Sequence, residues 1–322
     1  MKIALLTYST RPRGGVVHTL ALAEALARLP GLDVHVWTLG RGGDTAFFRS
    51  VDPAVTVHAV PFAEIGDAVG PRILRSIDVL GAAFGEVRSS YDVVHAQDCI
   101  SANAAMLSGS CVRTIHHLDT FTTPELVACH DRAVTDPAAR ICVSRAVADE
   151  VTAGWGLTPT VIANGVDAAR FAAGAADRPG RARWRARLGP YVLSLGGIEP
   201  RKGTIDLLEA WALLRARHPT IRFVLAGGET LFDYRDYRAA FDRRAAELGV
   251  QPELLGVVAH DELPSLVAEA SALGFVSTKE GFGLAPLEAL AAGVPVVARG
   301  LPVLREVLGA HVTYADTPRG IA

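Results

Sequence analysis

Short apolar runs rich in β-branched residues alternate with longer segments whose apolar residues recur at helical spacing. In the first half of the chain this pattern predicts strands at Ile3–Tyr8, Val34–Leu39, Val55–Val60, Val93–Ala96, Val112–His116 and Ile141–Ser144. It predicts helices between them at Val16–Leu29, Arg72–Val87, Ser101–Leu107 and Arg145–Ala153. Continuous apolar strands that alternate with helices indicate a parallel sheet with helices on both faces.

The alternation stops at residues 171–190 and then resumes. This segment, FAAGAADRPGRARWRARLGP, is rich in alanine, glycine, arginine and proline, and we interpret it as a linker between a domain at 1–170 and a second domain at 191–322. A helix predicted at Leu263–Ala270 has Asp261 as a candidate N-cap. The predicted strands of the second domain are Tyr191–Leu195, Arg222–Ala226, Leu255–Val258, Leu273–Ser277 and Val294–Ala298, and its clearest helix is Thr204–Arg217. The predicted fold class is α/β, with two doubly wound domains.

Composition narrows the functional classes. A length of 322 residues, half of them apolar, is enough for two cores. The net charge of −2 argues against a general nucleic-acid binder, which usually shows a basic excess. The four cysteines form no CxxC pair, so zinc and disulfide frameworks are poorly supported. The first residues resemble a strand more than a signal peptide, and no apolar run reaches membrane-spanning length, so we expect a soluble cytoplasmic protein.

Glycines and cations follow the first strand of each predicted domain, where α/β sheets bind ligands. Gly14 and Gly15 open the first helix, and they either admit a ligand close to the backbone or simply form a turn. In LGGIEPRKG, a glycine pair, Gly196 and Gly197, ends the strand, and two cations, Arg201 and Lys202, precede the strong helix. Two cations at a helix N-terminus are suited to a pyrophosphate, although a solvated basic turn has the same composition.

Two adjacent histidines follow the strand at Val112–His116. A histidine at a strand end is more often a satisfied structural residue than a catalytic one, but His116 and His117 stand in a row beside Asp119, which favours one of the two facing a cleft. Neighbouring side chains on an extended chain point to opposite faces, and the two rings therefore cannot easily share a metal ion. We predict no metal site.

The stretch EGFGLAPLE places carboxylates at both ends of an apolar, glycine-containing loop. Glu280 lies in the loop, Gly281 and Gly283 expose backbone amides, and a helix is predicted to begin near Ala285–Pro286, with Glu288 in its first turn. Acids at a helix start often only complement the helix dipole. In an otherwise apolar loop, however, they are better explained as acceptors for the hydroxyl groups of a sugar and a ribose.

These segments together resemble glycosyltransferase family 4, whose retaining GT-B members carry an E-x7-E motif like that of Glu280 and Glu288. The series RGG, TIHH, ICVSRAVADEV, IANGVD, GGIEPRKG, LAGG and EGFGLAPLEALAAGVPVVA follows the family order over nearly the entire chain. The resemblance implies two Rossmann-like domains that face each other across a cleft, the second of which holds a nucleotide-sugar donor.

The resemblance also implies roles for individual residues. Glu280 would contact the donor sugar, Glu288 the ribose and Lys202 the diphosphate, while His116 would lie near the reacting centre. His116 and Glu280 are thus the predicted catalytic residues. The predicted donor-binding residues are Gly14, Gly15, Gly196, Gly197, Arg201, Lys202, Phe282, Gly283, Leu284 and Glu288.

Two features depart from the family pattern. Family members commonly have arginine where this chain has Gly197, so Arg201 or backbone amides would have to replace that cation. The family usually continues beyond a point equivalent to Ala322 into helices that return to the N-terminal domain, and we expect those closing helices to be missing here.

The predicted function is transfer of a hexosyl group with retention of configuration, with the nucleotide sugar as a substrate and no cofactor or metal. The acceptor is a carbohydrate, a lipid or a small molecule, and peripheral contact with a membrane stays open. Same-face substitution and double displacement also stay open. The alternatives are another GT-B activity, an inactive nucleotide-sugar-binding protein, and a dinucleotide oxidoreductase, against which the absence of GxGxxG counts.

Overall fold

The computed structural model describes residues 1–43, 45–66, 68–118, 121, 123–228 and 235–322, which divide into two compact units, Met1–Asn164 and Gly165–Ala322. Within the described part of the first unit, seven parallel strands form one sheet in the order β3-β2-β1-β4-β5-β6-β7. Its elements are β1 Lys2–Leu6, α1 Gly14–Ala27, β2 Asp33–Arg41, β3 Val55–Phe62, α2 Val69–Gly85, β4 Val93–Ala96, α3 Cys99–Met106, β5 Val112–Ile115, α4 Pro124–Thr135, β6 Ala139–Cys142, α5 Arg145–Trp155 and β7 Thr160–Val161.

The alternation of side chains along β1 explains why the first sheet has a core on each face. Ile3 and Leu5 belong to one apolar cluster with Ala23 of α1. Ala4 and Leu6 belong to another cluster, which includes residues of α2 and α3. Successive residues of a strand point to opposite faces, so the four apolar residues that follow Lys2 in this strand stabilise two helical layers at once.

The second unit repeats this topology. Among its described residues, six parallel strands follow the order β10-β9-β8-β11-β12-β13. Its elements are α6 Ala168–Ala176, α7 Arg178–Leu188, β8 Tyr191–Leu195, α8 Thr204–Arg217, β9 Arg222–Ala226, α9 Arg235–Glu247, β10 Glu253–Gly256, α10 Leu263–Glu269, β11 Ala272–Phe275, α11 Leu284–Ala291, β12 Val296–Ala298, α12 Pro302–Leu308, β13 Thr313–Tyr314 and α13 Pro318–Ile321. The two sheets confirm the prediction of two parallel α/β domains.

The segment predicted to be a linker, 171–190, is instead mostly helical and belongs to the second unit. Helices α6 and α7 pack against α10, and the unit boundary lies between Asn164 and Gly165, not near residue 170. Arg181 and Arg185 of α7 lie 3.0 and 2.7 Å from the carboxylate of Glu269 on α10. These ion pairs and the buried face of α7 hold the segment in place, so its basic composition reflects docking, not flexibility.

Three local predictions also need correction. Helix α10 begins after Glu262, which makes no side-chain capping hydrogen bond, so Asp261 is not the N-cap. Strand β10 begins at Glu253, two residues before the predicted strand. Helix α11 begins at Leu284, so Glu288 is its fifth residue and lies beyond the first turn.

Candidate active site

Four glycines at the carboxyl ends of β8 and β9 bring two loops into backbone contact. Gly196 and Gly197 follow β8, while Gly227 and Gly228 follow β9. A Cβ atom on Gly197 would lie 2.6 Å from the carbonyl oxygen of Gly228, closer than real Cβ atoms approach. Position 197 therefore accepts a side chain only if one of the loops moves. This crowding is a physical reason for the glycine found here, where the family pattern has arginine.

Two cations stand at the beginning of α8. Arg201 and Lys202 lie in a single 3₁₀ turn, Pro200–Lys202, directly before the helix. Gly203 is the N-cap of α8 with φ of +62°, and a Cβ atom there would collide with the carbonyl oxygen of Val276. Only glycine fits this left-handed, crowded position. The result is that both cations are fixed beside a helix N-terminus, which itself favours anions.

The carboxylate of Glu280 holds these cations together. Its Oε2 lies 3.0 Å from Nζ of Lys202 and 3.3 Å from Nη1 of Arg201. The hydroxyl of Ser277 donates to the same oxygen at 3.4 Å, and the N–H of Gly281 donates to Oε1 at 3.2 Å. Burial alone would raise the pKa of Glu280, but the charges of Lys202 and Arg201 outweigh it and lower the pKa to about 2. Glu280 is therefore an anion with fixed orientation at neutral pH.

The loop after Glu280 leads directly into α11. Phe282 is buried, and Gly283 is the N-cap of the helix with φ of +97°. Leu284 is the first residue of the helix. The glycine thus places the N-terminus of α11 next to the loop that carries Glu280, at the carboxyl end of β11.

Glu288 has a different electrostatic environment from Glu280. Burial raises its pKa to about 7, and Arg170 of α6 opposes that rise only in part. The guanidinium of Arg170 also donates to the backbone carbonyl of His260 and lies 4.9 Å from the ring centre of Phe171. The two carboxylates of the E-x7-E motif therefore differ in protonation, because two cations hold Glu280 as an anion and Glu288 titrates near neutrality.

A second group of predicted site residues lies in the first unit, at the start of α1, which follows β1, and at the carboxyl end of β5. Gly14 and Gly15 are the first residues of α1, and a Cβ on Gly15 would lie 3.5 Å from Cδ2 of His116. The ring of His116 lies edge-on to the ring of His18, with centroids 4.8 Å apart. Its Nε2 is 3.2 Å from Oε1 of Gln97.

The imidazole of His116 is neutral at physiological pH. Burial lowers its pKa well below the usual range, and His18, His117, Arg113 and His95 lower it further. Burial also lowers the pKa values of His18 and His95 to about 4. His117 is exposed, and Asp119, the third member of the predicted cluster, lies outside the described residues. The predicted site is thus divided, with Gly14, Gly15 and His116 in the first unit and the other residues in the second.

Two family models match the chain, one for each unit. Residues 12–170 match the model described as Glycosyltransferase Family 4, and residues 184–318 match that of Glycosyl transferases group 1. The chain belongs to glycosyltransferase family 4. The two parallel-sheet units are the Rossmann-like domains of the GT-B fold that this family shares.

Curated relatives of this family 4 chain are glycosyltransferases. It is 33% identical over 252 residues to a glycogen synthase of Mycobacterium tuberculosis, an alignment that covers 72% of this chain and 58% of the synthase. It is 29% identical to the D-inositol 3-phosphate glycosyltransferase of Salinispora arenicola, over 92% of this chain and 76% of that protein. The chain therefore spans less than two thirds of the glycogen synthase's length.

Solved structures share the fold. The Anabaena protein HepE, in complex with UDP-glucose, superposes with a TM-score of 0.75 at 21% sequence identity. The superposition covers 100% of this chain and 88% of the HepE chain. The sucrose-phosphate synthase of Thermosynechococcus elongatus superposes with a TM-score of 0.72 at 19% sequence identity, over 94% of this chain and 82% of the synthase chain.

Two residues that contact or influence the predicted site of this family 4 chain, Gln97 and Arg170, were not predicted from the sequence. Gln97 directly follows β4, so the rule that ligand sites lie at strand ends could have identified it. Arg170 offered no such signal, because it lies on α6, a helix that the pattern did not predict.

The described residues contain no group of three or more His, Cys, Asp and Glu side chains arranged to hold a metal ion. Over the same residues, no helix is both long enough and apolar enough to cross a bilayer.

Proposed function

We propose that this family 4 chain is a retaining hexosyltransferase that transfers a sugar from a nucleoside-diphosphate donor to a hydroxyl group of a carbohydrate, lipid or small-molecule acceptor. The observation that carries this proposal is the convergence of Lys202 and Arg201 on the carboxylate of Glu280, at the N-terminus of α8. This arrangement offers positive charge and a sugar-binding anion within one small region.

The diphosphate is the group that the cations would bind. Departure of the leaving group places negative charge on the diphosphate, and fixed cations at a helix N-terminus stabilise that charge without reorganising. Lys202 and Arg201 are already fixed by Glu280, so little side-chain freedom remains to be lost when the donor binds. Arg201 then supplies the second cation that Gly197 cannot.

The two carboxylates would divide the hydroxyl groups of the donor. Glu280, an anion beside the cations, would accept hydrogen bonds from the sugar, and Glu288, on α11, would accept them from the ribose. HepE was solved with UDP-glucose, and glycogen synthases are among the curated relatives, which supports a nucleotide-sugar donor and a hexosyl group.

The contacts of Glu280 favour same-face substitution over double displacement. A nucleophilic carboxylate must present a free oxygen to the anomeric carbon, whereas Oε2 of Glu280 is engaged by Lys202, Arg201 and Ser277 and Oε1 accepts from the N–H of Gly281. In same-face substitution the departing phosphate helps to deprotonate the acceptor, and the carboxylate only orients the sugar. We propose that the reaction needs no metal and no cofactor.

A donor panel tests the proposal. UDP-, GDP- and ADP-hexoses would be incubated with the full chain in EDTA, with and without candidate acceptors, and products followed by proton NMR. We expect turnover of one donor. If the sugar of that donor is α-linked, the first product detected should also be the α anomer. A β product would contradict retention, and nucleotide-sugar binding without hydrolysis or transfer would favour an inactive binding protein.

Two substitutions refine the test. Glu280→Gln should weaken binding of the whole sugar nucleotide by about tenfold or more, with a smaller effect on the free nucleoside diphosphate. Glu288→Ala should weaken both ligands, because both contain the ribose. Glu247→Gln removes a carboxylate that is 62% exposed in the same unit and is the matched control. Equal effects of the first two substitutions on the nucleoside diphosphate would contradict this division of roles.

A further inference from the structure

Gln97 is a buried amide held against the ring of His116. It follows β4 directly, as His116 follows β5, and these two strands are neighbours in the sheet. Its Oε1 lies 3.2 Å from Nε2 of His116, and the residue is only 2% exposed. The two side chains therefore meet at the carboxyl edge of the first sheet, where α/β domains bind ligands.

We propose that Gln97 is a positioning residue, which fixes His116 in the tautomer that carries its proton on Nε2. An amide oxygen only accepts hydrogen bonds, so the 3.2 Å contact is complete only when Nε2 of the ring is the donor. The lone pair then resides on Nδ1. The catalytic consequence is that Nδ1 of His116 accepts a hydrogen bond from a substrate hydroxyl group. Only this consequence, and not the tautomer itself, rests on the proposed function.

The backbone around Gln97 prevents the amide from drifting away from the ring. The N–H of Gln97 donates to the carbonyl oxygen of Leu6 at 2.9 Å and lies 3.3 Å from the hydroxyl of Ser101. The next residue, Asp98, caps α3 by accepting from the N–H of Ser101 at 2.8 Å. Gln97 is thus fixed on one side by the sheet and on the other by a capped helix.

The nitrogen of the Gln97 amide makes no hydrogen bond to a described residue that competes with the contact of its oxygen to His116. Within the described residues, Nε2 of Gln97 is buried and has no hydrogen-bond partner. Leaving a buried amide nitrogen unsatisfied lowers stability, and a methionine of similar length would avoid that loss. The oxygen contact to His116 is the interaction that such a replacement would remove.

The surroundings of His116 make the choice of tautomer important. The titratable and charged groups that act on the ring are His18, His95, His117 and Arg113. With burial, they keep the ring neutral, and a neutral imidazole has one donor nitrogen and one acceptor nitrogen. The hydrogen-bond partner of one ring nitrogen therefore decides whether the other nitrogen is a donor or an acceptor towards a substrate. In His116 the partner of Nε2 is Gln97, and Nδ1 is the nitrogen left for the substrate.

The wild-type tautomer tests the inference without any substitution. The full chain, labelled with ¹⁵N and ¹³C in its ten histidines, would be examined by two-dimensional NMR at pH 7.5. His116→Gln identifies the signals of His116 by their loss. We expect a protonated Nε2 and an unprotonated Nδ1. A ring protonated on Nδ1 would overturn the inference, because the amide would then have to donate to Nε2.

Two variants of Gln97 show whether the amide causes this preference. Gln97→Met removes the acceptor, so a substantial fraction of His116 should move to the Nδ1–H tautomer. Gln97→Glu retains an acceptor and should preserve the Nε2–H tautomer. Thr114→Val is the matched control, because Thr114 lies 2.7 Å from Nε2 of His95, and its loss should alter His95 and spare His116. An unchanged tautomer in folded Gln97→Met would reject the positioning role.

The catalytic consequence has a separate readout. With the donor that the panel identifies, Gln97→Met should lower kcat by roughly tenfold while the Kd for the nucleoside diphosphate stays within about twofold. The tautomer is measured without any donor, so failure of the proposed transferase activity would leave the NMR result intact. If Gln97→Met shifts His116 to the Nδ1–H tautomer but keeps a normal kcat, Gln97 orients the ring without affecting turnover, and the catalytic consequence is overturned.

Discussion

The ammonium group of Lys202 lies 3.0 Å from Oε2 of Glu280, a residue 78 positions later in the chain. Both side chains are largely shielded, with 17% and 14% of their area exposed. The proposed phosphate-binding cation and the proposed sugar-binding anion are therefore one electrostatic unit. Donor binding would divide Lys202 between Glu280 and the diphosphate, so a change at either residue should affect the other.

Glu288 should make stability depend on pH near neutrality. Burial raises its pKa from 4.5 to about 7, so the folded state retains a proton that the unfolded chain releases above pH 4.5. The stability that this proton confers is present below pH 4.5 and is lost as the pH rises from about 4.5 to about 7. Glu288→Gln should therefore stabilise the protein by about 1–3 kcal/mol at pH 8 and by little at pH 4. Urea unfolding at the two pH values measures the difference. An equal effect at both would contradict the raised pKa.

Gly197 should tolerate no side chain without loss of stability. Because a Cβ atom would lie 2.6 Å from the carbonyl oxygen of Gly228, Gly197→Ala should destabilise the protein by about 1–3 kcal/mol. Gly154 is the matched control, since it lies in α5 and a Cβ there meets nothing within 4 Å. Gly154→Ala should be neutral or stabilise by up to about 1 kcal/mol. Similar unfolding free energies for the two variants would show that the loops around Gly197 move freely.

Much of the fold could be predicted because buried parallel strands are apolar on both faces. Among the described residues, six helices were not predicted, α4, α6, α7, α9, α12 and α13, and the segment interpreted as a linker contains all of α7 and most of α6. Helix α7 is rich in arginine, and only Gly180, Trp184 and Leu188 mark its buried face. Asp177 accepts from the N–H of Gly180 as the N-cap, so an aspartate followed by Arg-Pro was the available signal.

The candidate site was predictable in its residue types but not in its electrostatics. Glycine-rich strand ends and the paired acids predicted Lys202, Glu280 and Glu288 as site residues. Sequence spacing could not show that two cations converge on Glu280, since they belong to a different loop. The raised pKa of Glu288 depends on burial between helices, and one of these, α6, was not predicted.

Acid should destabilise the first unit through its buried histidines. Burial lowers the pKa values of His18 and His95 from 6.5 to about 4, so on acidification the unfolded chain takes up protons first. The stability that the neutral rings confer is complete above pH 6.5 and is lost between pH 6.5 and 4. At pH 5 the free energy of unfolding should have fallen by about 2 kcal/mol for each ring. His95→Gln should flatten this dependence in urea titrations, whereas His311→Gln, at an exposed position of the second unit, should not. The same slope in wild type and His95→Gln would refute the assignment.

His116 should affect turnover more than nucleotide binding. It lies in the first unit, whereas Lys202, Glu280 and Glu288 lie in the second. His116→Ala should lower kcat at least tenfold, the magnitude expected for a lost transition-state hydrogen bond, and leave the Kd for the nucleoside diphosphate within about twofold. His117→Ala, at the exposed neighbour, is the control. Normal turnover by folded His116→Ala protein would remove the residue from the reaction.

Calorimetric titration of Lys202→Ala tests the central claim, that the second unit binds a donor diphosphate at the Lys202–Glu280 pair, most directly. The ligands are the nucleoside diphosphate of the donor that the panel identifies and its parent nucleoside. Arg215→Ala removes the same charge from the opposite end of α8 and is the control. Loss of a charge-assisted contact should raise the Kd of the diphosphate about ten- to a hundredfold and leave the nucleoside within about twofold. Equal losses for both ligands, or an unchanged Kd for the diphosphate, would contradict the placement of the phosphates at Lys202.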